Sequence, residues 1–127
     1  MDILLDTHTV LWFFEDDKRL SKAAIETICD EENNKYVSIA TLWEVAIKYS
    51  LGKLKLEGGI ENFINNVHEN GFLLLDIAPE HTQKIANLPY IHRDPFDRML
   101  IAQAMLGNMP ILSSDSEILK YDIKTIS

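Results

Sequence analysis

Cysteine, basic residues and long apolar runs are all scarce in this sequence. The single cysteine, Cys29, excludes an internal disulfide framework and a Cys-ligated zinc site, which favours a reducing compartment. No apolar run approaches the ~18 residues of a membrane-spanning helix, and Met1-Asp2 is not followed by the basic n-region of a signal peptide. We therefore expect a soluble, cytoplasmic protein with no membrane partner.

The shortage of positive charge limits the ways in which this protein can bind nucleic acid. Twelve Lys and Arg residues stand against twenty Asp and Glu residues, for a formal net charge of −8. Binding through a broad basic surface depends on neutralising phosphates with Lys and Arg, and this composition excludes it. Any chemistry on nucleic acid would need a metal ion, or a few local cations, between the acidic protein and the phosphate.

Length and composition predict one globular domain over residues 1–127. Hydrophobic residues make up 46% of the chain and charged residues 25%, as is usual for globular proteins. No internal repeat, low-complexity tract or Pro/Gly-rich linker divides the sequence.

Short apolar runs alternate with helical patterns along the chain. The runs predict strands at residues 3–5, 36–38, 72–75, 110–113 and 123–126. The helical patterns lie at residues 10–14, 22–31, 40–50, 60–69, 80–87 and 94–107. Because the strands are continuous apolar runs, they predict an α/β fold with a central parallel sheet flanked by helices. Ligands of such folds bind at the carboxyl ends of the strands.

Four acidic residues stand in places that need explaining, with Asp94 as a fifth candidate; they are Asp6, Glu44, Asp97 and Asp115. Asp6 and Asp115 follow predicted strands directly or closely, so both are expected at the same edge of the sheet. Clustered carboxylates repel one another unless a cation lies among them, and Mg²⁺ or Mn²⁺ prefers such oxygen ligands. A metal held in this way can activate a nucleophile and bind a phosphodiester oxygen.

Two of these acids also have purely structural interpretations. Asp6 could cap the helix that follows the first strand. Glu44 could form an ordinary i,i+4 pair with Lys48, worth about 0.3–0.5 kcal/mol. The neighbours of Glu44 are mostly apolar, however, and a carboxylate in such surroundings is unfavourable without a partner or a cation.

The other acids lie near predicted helix starts and have structural interpretations as well. Asp94 at the N-cap, Pro95 and Asp97 form a start that resembles a capping box, and the helix macrodipole favours both carboxylates. Asp115 could close a turn or cap the residues that follow it.

Other catalytic motifs are missing, and the neighbouring residues give weaker indications. The sequence has no GxGxxG, GxxxxGK[ST], GxSxG or HExxH motif. His8 and His92 adjoin candidate site residues and could contact a substrate. The cations near the acidic positions are expected to be solvated and able to orient an RNA backbone; they are Lys48, Lys53, Lys55, Arg93 and Arg98.

Four strings, in order, resemble the PIN-domain proteins, and most of all the VapC-type ribonuclease toxins. They are LLDTHTVLW, SIATLWEVAIKYSLGKL, HRDPFDRMLIAQA and ILSSD. The resemblance extends from about Leu4 to Tyr121, and the third string is its most specific part. It implies a PIN fold, a central parallel sheet flanked by helices, with an acidic pocket for Mg²⁺ or Mn²⁺.

The resemblance also implies roles for individual residues. The family acids fall on Asp6, Glu44, Asp97 and Asp115, which would hold the metal and carry catalysis. Asp94 is an additional acid that could be a cap, an outer-shell group or a ligand. The family hydroxyls that position substrate fall on Thr7 and on either Ser113 or Ser114.

The sequence-based hypothesis is a metal-dependent endoribonuclease, the toxin of a type II toxin–antitoxin pair. The resemblance implies RNA as substrate, a homodimer, and a cognate antitoxin whose C-terminal segment covers the acidic cleft. One alternative is a non-catalytic PIN-like module that docks a basic partner in its acidic pocket. A phospho-acceptor receiver domain is another, but it needs a Lys at the end of a late strand, and no predicted strand here ends in one.

Overall fold

A five-stranded parallel sheet forms the centre of the protein in a computed structural model that describes residues 1–127. The strands lie in the order β3-β2-β1-β4-β5, and every neighbouring pair is parallel. Their bounds are β1 Asp2–Leu5, β2 Asn34–Ser38, β3 Leu73–Leu75, β4 Ile111–Leu112 and β5 Thr125–Ile126. The predicted parallel α/β sheet is therefore confirmed.

Six α-helices and one 3₁₀ turn, at Ile118–Lys120, connect the strands. The helices are α1 Thr7–Glu15, α2 Lys22–Cys29, α3 Ile39–Ser50, α4 Gly59–Glu69, α5 Pro79–Ala86 and α6 Pro95–Gly107. None of them combines the length and the apolar character that a membrane crossing requires.

Strand β4, and β1 after the exposed Asp2, are apolar because both of their faces are buried. In β1, Ile3 and Leu5 contribute to one hydrophobic cluster, whereas Leu4 contributes to a second one. The same alternation separates Leu112 from Ile111 in β4. Side chains alternate between the faces of a strand, so a run of apolar residues serves two cores at once.

One helix end differs from the sequence-based prediction. Helix α2 ends at Cys29, two residues early, and the Cys29 side chain is exposed. Helix α6 ends at Gly107, as predicted. Asn108 ends it in a left-handed conformation with φ 49°, which Asn tolerates better than most residues.

The register of the sheet brings three chain segments to one edge. Leu5, the last residue of β1, pairs with Val37 of β2 and with Leu112 of β4. The residues that follow these strand ends therefore lie side by side at the carboxyl edge of the sheet.

A buried pair, Arg98 and Tyr121, holds the loop between α5 and α6 against this edge. Tyr121 Oη accepts the backbone N–H groups of Ile91 at 3.1 Å and His92 at 2.8 Å, and it donates to Pro89 O at 2.9 Å. The guanidinium of Arg98 donates to Tyr121 Oη at 3.2 Å and to four backbone carbonyls, that of Ile85 in α5 and those of Leu88, Pro89 and His92 in the loop. The expectation that Arg98 is a solvated cation is wrong: only 8% of it is exposed.

We expect Tyr121→Phe to destabilise the protein by about 1–3 kcal/mol, because the partly buried N–H groups of Ile91 and His92 would lose their acceptor. Urea unfolding would measure this loss in the free energy of unfolding. The matched control is Tyr49→Phe, at a residue that is 40% exposed and whose hydroxyl has no hydrogen-bond partner; a change within about 0.5 kcal/mol is expected. Equal effects of the two substitutions would contradict this account of the loop.

Candidate active site

Asp6 links the end of β1 to the start of α1. It is the N-cap of α1, and its Oδ1 accepts the Thr9 N–H at 2.8 Å. Its Oδ2 accepts a hydrogen bond from the Ser113 hydroxyl, just beyond β4. The structural interpretation of Asp6 is therefore correct, yet only 4% of the residue is exposed and it lies at the predicted ligand edge.

Ser113 is the hydroxyl residue that connects two of the acids. Besides donating to Asp6, its Oγ accepts the Asp115 N–H at 3.0 Å. Ser114 points outward and lines a cavity that also borders Asp6 and Asp115. The Thr7 hydroxyl is buried and shares a hydrogen bond of 3.0 Å with Thr41, which joins α1 to α3.

Glu44 is a buried carboxylate on α3 with only one of its oxygens engaged. Its Oε2 accepts the Lys48 ammonium at 2.8 Å, the predicted i,i+4 pair. Its Oε1 has no hydrogen-bond partner, although only 3% of Glu44 is exposed. The hydrogen bond to Glu44 raises the pKa of Lys48 against the opposing effect of burial, and the charges of Asp94 and Asp97 add to this rise.

Asp94 and Asp97 form the start of α6. Asp94 Oδ1 accepts the backbone N–H groups of Phe96 at 2.8 Å and Asp97 at 3.0 Å, which confirms the predicted N-cap. Asp94 Oδ2 is left without a protein donor. Burial, together with the negative charges of Asp94, Glu44 and Asp6, raises the pKa of Asp97 to about 7, and His92 opposes this rise.

His92 completes a cluster with Asp97 and Asp115. Its Nε2 lies 2.9 Å from Asp97 Oδ2 and 3.5 Å from Asp115 Oδ2. The ring N–H is not aimed at either oxygen, so these are close polar contacts and Nε2 has no hydrogen bond. On the other side of the ring, Nδ1 accepts the Asp94 N–H at 3.3 Å. From the sequence, His92 is predicted only to adjoin candidate site residues and to be able to contact a substrate.

The structure brings all the predicted acids to one region, where they could hold a cation. Ligand atoms of His92, Asp97 and Asp115 lie within 4.8 Å of one another. Two buried atoms at the site, Glu44 Oε1 and His92 Nε2, lack partners. A divalent cation would neutralise the repulsion that raises the pKa of Asp97. The oxygen donors suit Mg²⁺ or Mn²⁺, and an imidazole favours a transition metal such as Mn²⁺ over Mg²⁺.

The raised pKa of Asp97 predicts a pH-dependent stability for the metal-free protein. Between the ordinary value of 3.8 and about 7, the folded state binds this proton more tightly than the unfolded state does. Stability contributed by this group is therefore full below the lower value and falls as the pH rises toward the higher one. Asp97→Asn removes this titrating group. At about pH 8 we therefore expect the free energy of unfolding of the variant to exceed that of the wild type by about 2–4 kcal/mol.

Urea unfolding in a chelator, at about pH 4 and about pH 8, tests this difference. The exposed Asp122→Asn serves as the matched control and should follow the wild type at both pH values. If wild type and Asp97→Asn differ equally at the two pH values, the Asp97 carboxyl is not the group responsible.

Comparisons with known proteins agree with this architecture. The PIN domain family profile matches residues 3–124. One similar solved chain, from the crystal structure of VapBC2 of Rickettsia felis bound to a promoter DNA fragment, has a TM-score of 0.75 and 12% identity. The alignment covers 99% of the present chain and 98% of that chain.

Two further solved structures show the same fold. A chain of FitAcB from Neisseria gonorrhoeae has a TM-score of 0.70 and 16% identity, over 98% of the present chain and 96% of its own. A chain of a toxin–antitoxin complex from Klebsiella pneumoniae has a TM-score of 0.67 and 16% identity, with the same coverage, 98% and 96%. No curated protein matches the sequence. PIN domains are generally nucleases, and the family match over nearly the whole length places this chain in the PIN domain family.

Proposed function

We propose that the chain acts as a single PIN domain and is a metal-dependent endoribonuclease that hydrolyses RNA phosphodiester bonds. One observation carries the proposal: acids from four separate segments, two buried and two partly buried, converge at the carboxyl edge of the sheet, and Lys48 pairs with only one of them, Glu44. Membership in a family of nucleases supports the same conclusion. The cofactor is Mg²⁺ or Mn²⁺.

Asp6, Asp97 and Asp115 would hold the metal, directly or through water. The Oδ2 atoms of Asp97 and Asp115 both lie near His92, while Asp115 Oδ1 accepts the Glu117 N–H at 2.8 Å. Asp115 is thereby oriented through one oxygen and free to bind through the other. The bound metal supplies Lewis acidity toward a phosphodiester oxygen and makes a neighbouring water more acidic.

Glu44 would orient the attacking water. Lys48 engages Oε2, and Oε1 remains free to accept a hydrogen bond from the water. Asp94 adds negative charge near Asp97 through an oxygen that the helix cap does not use.

Some of the hydroxyl residues would position the acids of the site, and another would position the substrate. Ser114 faces the open cavity and can reach a substrate, whereas Ser113 orients Asp6. Thr7 would act indirectly, since its hydroxyl is engaged by Thr41.

The biological role we propose is that of a cytoplasmic toxin, a homodimer held inactive by a cognate antitoxin. The solved structures with the same fold include one described as a toxin–antitoxin complex. An acidic cleft suits an inserted Arg or Lys of such a partner. Beside it lies an apolar groove of about 330 Å³, where Trp43 and Phe96 pack edge to face at 5.1 Å and could contact apolar side chains of the same segment.

Asp6→Asn and Asp97→Asn should each reduce metal-dependent RNA cleavage about 10²-fold or more, because each removes a carboxylate that would hold the metal. Both variants should fold: Asn caps a helix as well as Asp does, and Asp97→Asn removes an unfavourable buried charge. The assay is cleavage of a mixed RNA pool with Mg²⁺, with Mn²⁺ and with a chelator.

Asp122→Asn, purified identically, is the control and should cut like the wild type. Asn can keep the helix cap that Asp94 provides. Any loss of cleavage in Asp94→Asn would therefore come from the missing negative charge and not from the loss of the cap. Full activity in Asp6→Asn or Asp97→Asn would refute the assignment of the site. Binding of Mn²⁺ without cleavage of any RNA would instead favour a docking module.

If the protein is a toxin, inducing it in a bacterial host should stop growth, because its ribonuclease activity would be unopposed. The measurement is culture density after induction at matched protein levels. Asp6→Asn should permit normal growth, and Asp122→Asn should arrest it. Arrest by all three proteins would show that growth inhibition does not arise from the site.

A further inference from the structure

The loop after α1 folds back over the helix and fixes Arg19 against Trp12. Asp16 ends α1 in a left-handed conformation with φ 53°, and the Asp17 N–H donates to Trp12 O at 2.9 Å. Asp17 then accepts the backbone N–H of Arg19 at 2.9 Å and its guanidinium at 3.1 Å and 2.7 Å. The guanidinium carbon lies 4.7 Å from the centre of the Trp12 ring.

This fixed guanidinium still has capacity to bind a ligand. Asp17 engages Nε and Nη2, and Nη1 has no protein acceptor. The side chain is 66% exposed. The Arg19 hydrogen bonds lower the pKa of Asp17 to about 2, so the pair stays ionised throughout the physiological range. Arg19 is thus a preorganised cation with a donor directed to solvent.

Arg19 and Trp12 line a cavity of about 240 Å³ that two of the candidate metal-binding acids, Asp6 and Asp115, also line. His8, one helical turn before Trp12, lines it as well, and the two rings lie 5.6 Å apart at an angle of 38°. One side of the cavity therefore offers aromatic faces and a guanidinium, and the other side is continuous with the carboxylate cluster.

We propose that this cavity binds the nucleotide next to the scissile phosphate of a single-stranded RNA. Arg19 Nη1 binds the phosphate of this nucleotide, and its base stacks on the His8–Trp12 pair. The inference rests on the proposed endoribonuclease function. Aromatic rings and guanidinium planes are the common stacking partners of unpaired bases, and Arg suits phosphate geometry.

Charge and position favour Arg19 for this task, because it is the only Lys or Arg that lines this cavity. The protein carries a net charge of −8, so a phosphate needs a local cation. Lys48 is paired with the buried Glu44, and Arg98 is enclosed by the loop that it holds. An acidic peptide would bring only negative charge to this cavity, and the carboxylates of Asp6 and Asp115 would repel it. A phosphodiester chain, by contrast, brings its reacting group to the metal that these acids would hold.

Tryptophan fluorescence reports occupancy of the cavity without requiring cleavage. The chain has two tryptophans, so Trp43→Phe leaves Trp12 as the sole reporter and Trp12→Phe leaves Trp43. Each protein is mixed with a short single-stranded RNA of mixed sequence in Mg²⁺ and read immediately by stopped flow. Saturable quenching of Trp12, with Trp43 unchanged, is the expected result. An unchanged Trp12, or equal quenching of both, overturns the proposal.

Steady-state cleavage then separates binding from chemistry. Arg19→Ala and His8→Ala should each raise KM about tenfold, equivalent to about 1.4 kcal/mol, with kcat within about twofold of the wild type. Arg19→Lys should recover part of the loss by keeping the charge. Lys18→Ala removes an exposed cation next to Arg19 in the sequence and should leave KM unchanged.

The two readouts distinguish failure of this inference from failure of the proposed function. If the wild type cuts RNA and the Arg19 and His8 variants keep its KM, the nucleotide site is refuted and the nuclease assignment stands. If the wild type cuts no RNA, the nuclease assignment fails, and quenching of Trp12 alone decides whether the cavity binds RNA. Quenching that persists undiminished in Arg19→Ala and His8→Ala also refutes the site.

Discussion

The arrangement of this protein depends on keeping several carboxylates close together in partly dehydrated surroundings. Local donors compensate most of them: Asp6 receives Thr9 N–H and the Ser113 hydroxyl, and Asp94 receives two N–H groups of its helix. Burial and the remaining repulsion both act on Asp97, the acid whose pKa rises to about 7. A protein without a ligand gains nothing from this arrangement, because burial and like charge both oppose ionisation. A divalent cation removes the conflict, which is the physical basis of the function proposed for the site.

Structural and chemical roles coincide in these residues. An aspartate that caps a helix uses one oxygen for backbone N–H groups, as Asp94 does with Oδ1, and keeps the other for a ligand. Helix starts and strand ends share one edge of a parallel sheet, so the residues that end the strands and cap the helices lie together. The helix N-terminus also favours the negative charge that a cation site requires. Capping is therefore a reason why an acid is fixed in the site, and it does not compete with a chemical role.

The sheet and the convergence of the acids were predictable because they depend on backbone topology. Apolar runs followed by Asp6 and Asp115 indicate strands that end at a common edge, whatever their side chains contact. The positions of His92 and Arg98 were not predictable, since both depend on Tyr121, 29 and 23 residues away in the chain. Ser113 could not be separated from Ser114 without the register of β4, which decides which hydroxyl turns inward. Arg19 reaches the cavity because the chain reverses direction at Asp16, and no sequence motif predicts this reversal.

An acidic protein that acts on a polyanion must restrict attraction to the place where the reaction occurs. Two of its cations are committed to internal partners, Lys48 to Glu44 and Arg98 to the loop before α6, so neither adds to a surface attraction for RNA. With a net charge of −8, most of the surface repels the phosphate backbone. If the proposed function holds, attraction at the cleft would come from a bound cation and from Arg19 beside it. An RNA bound by so few favourable contacts would be selected by whether its exposed bases and backbone fit the cleft.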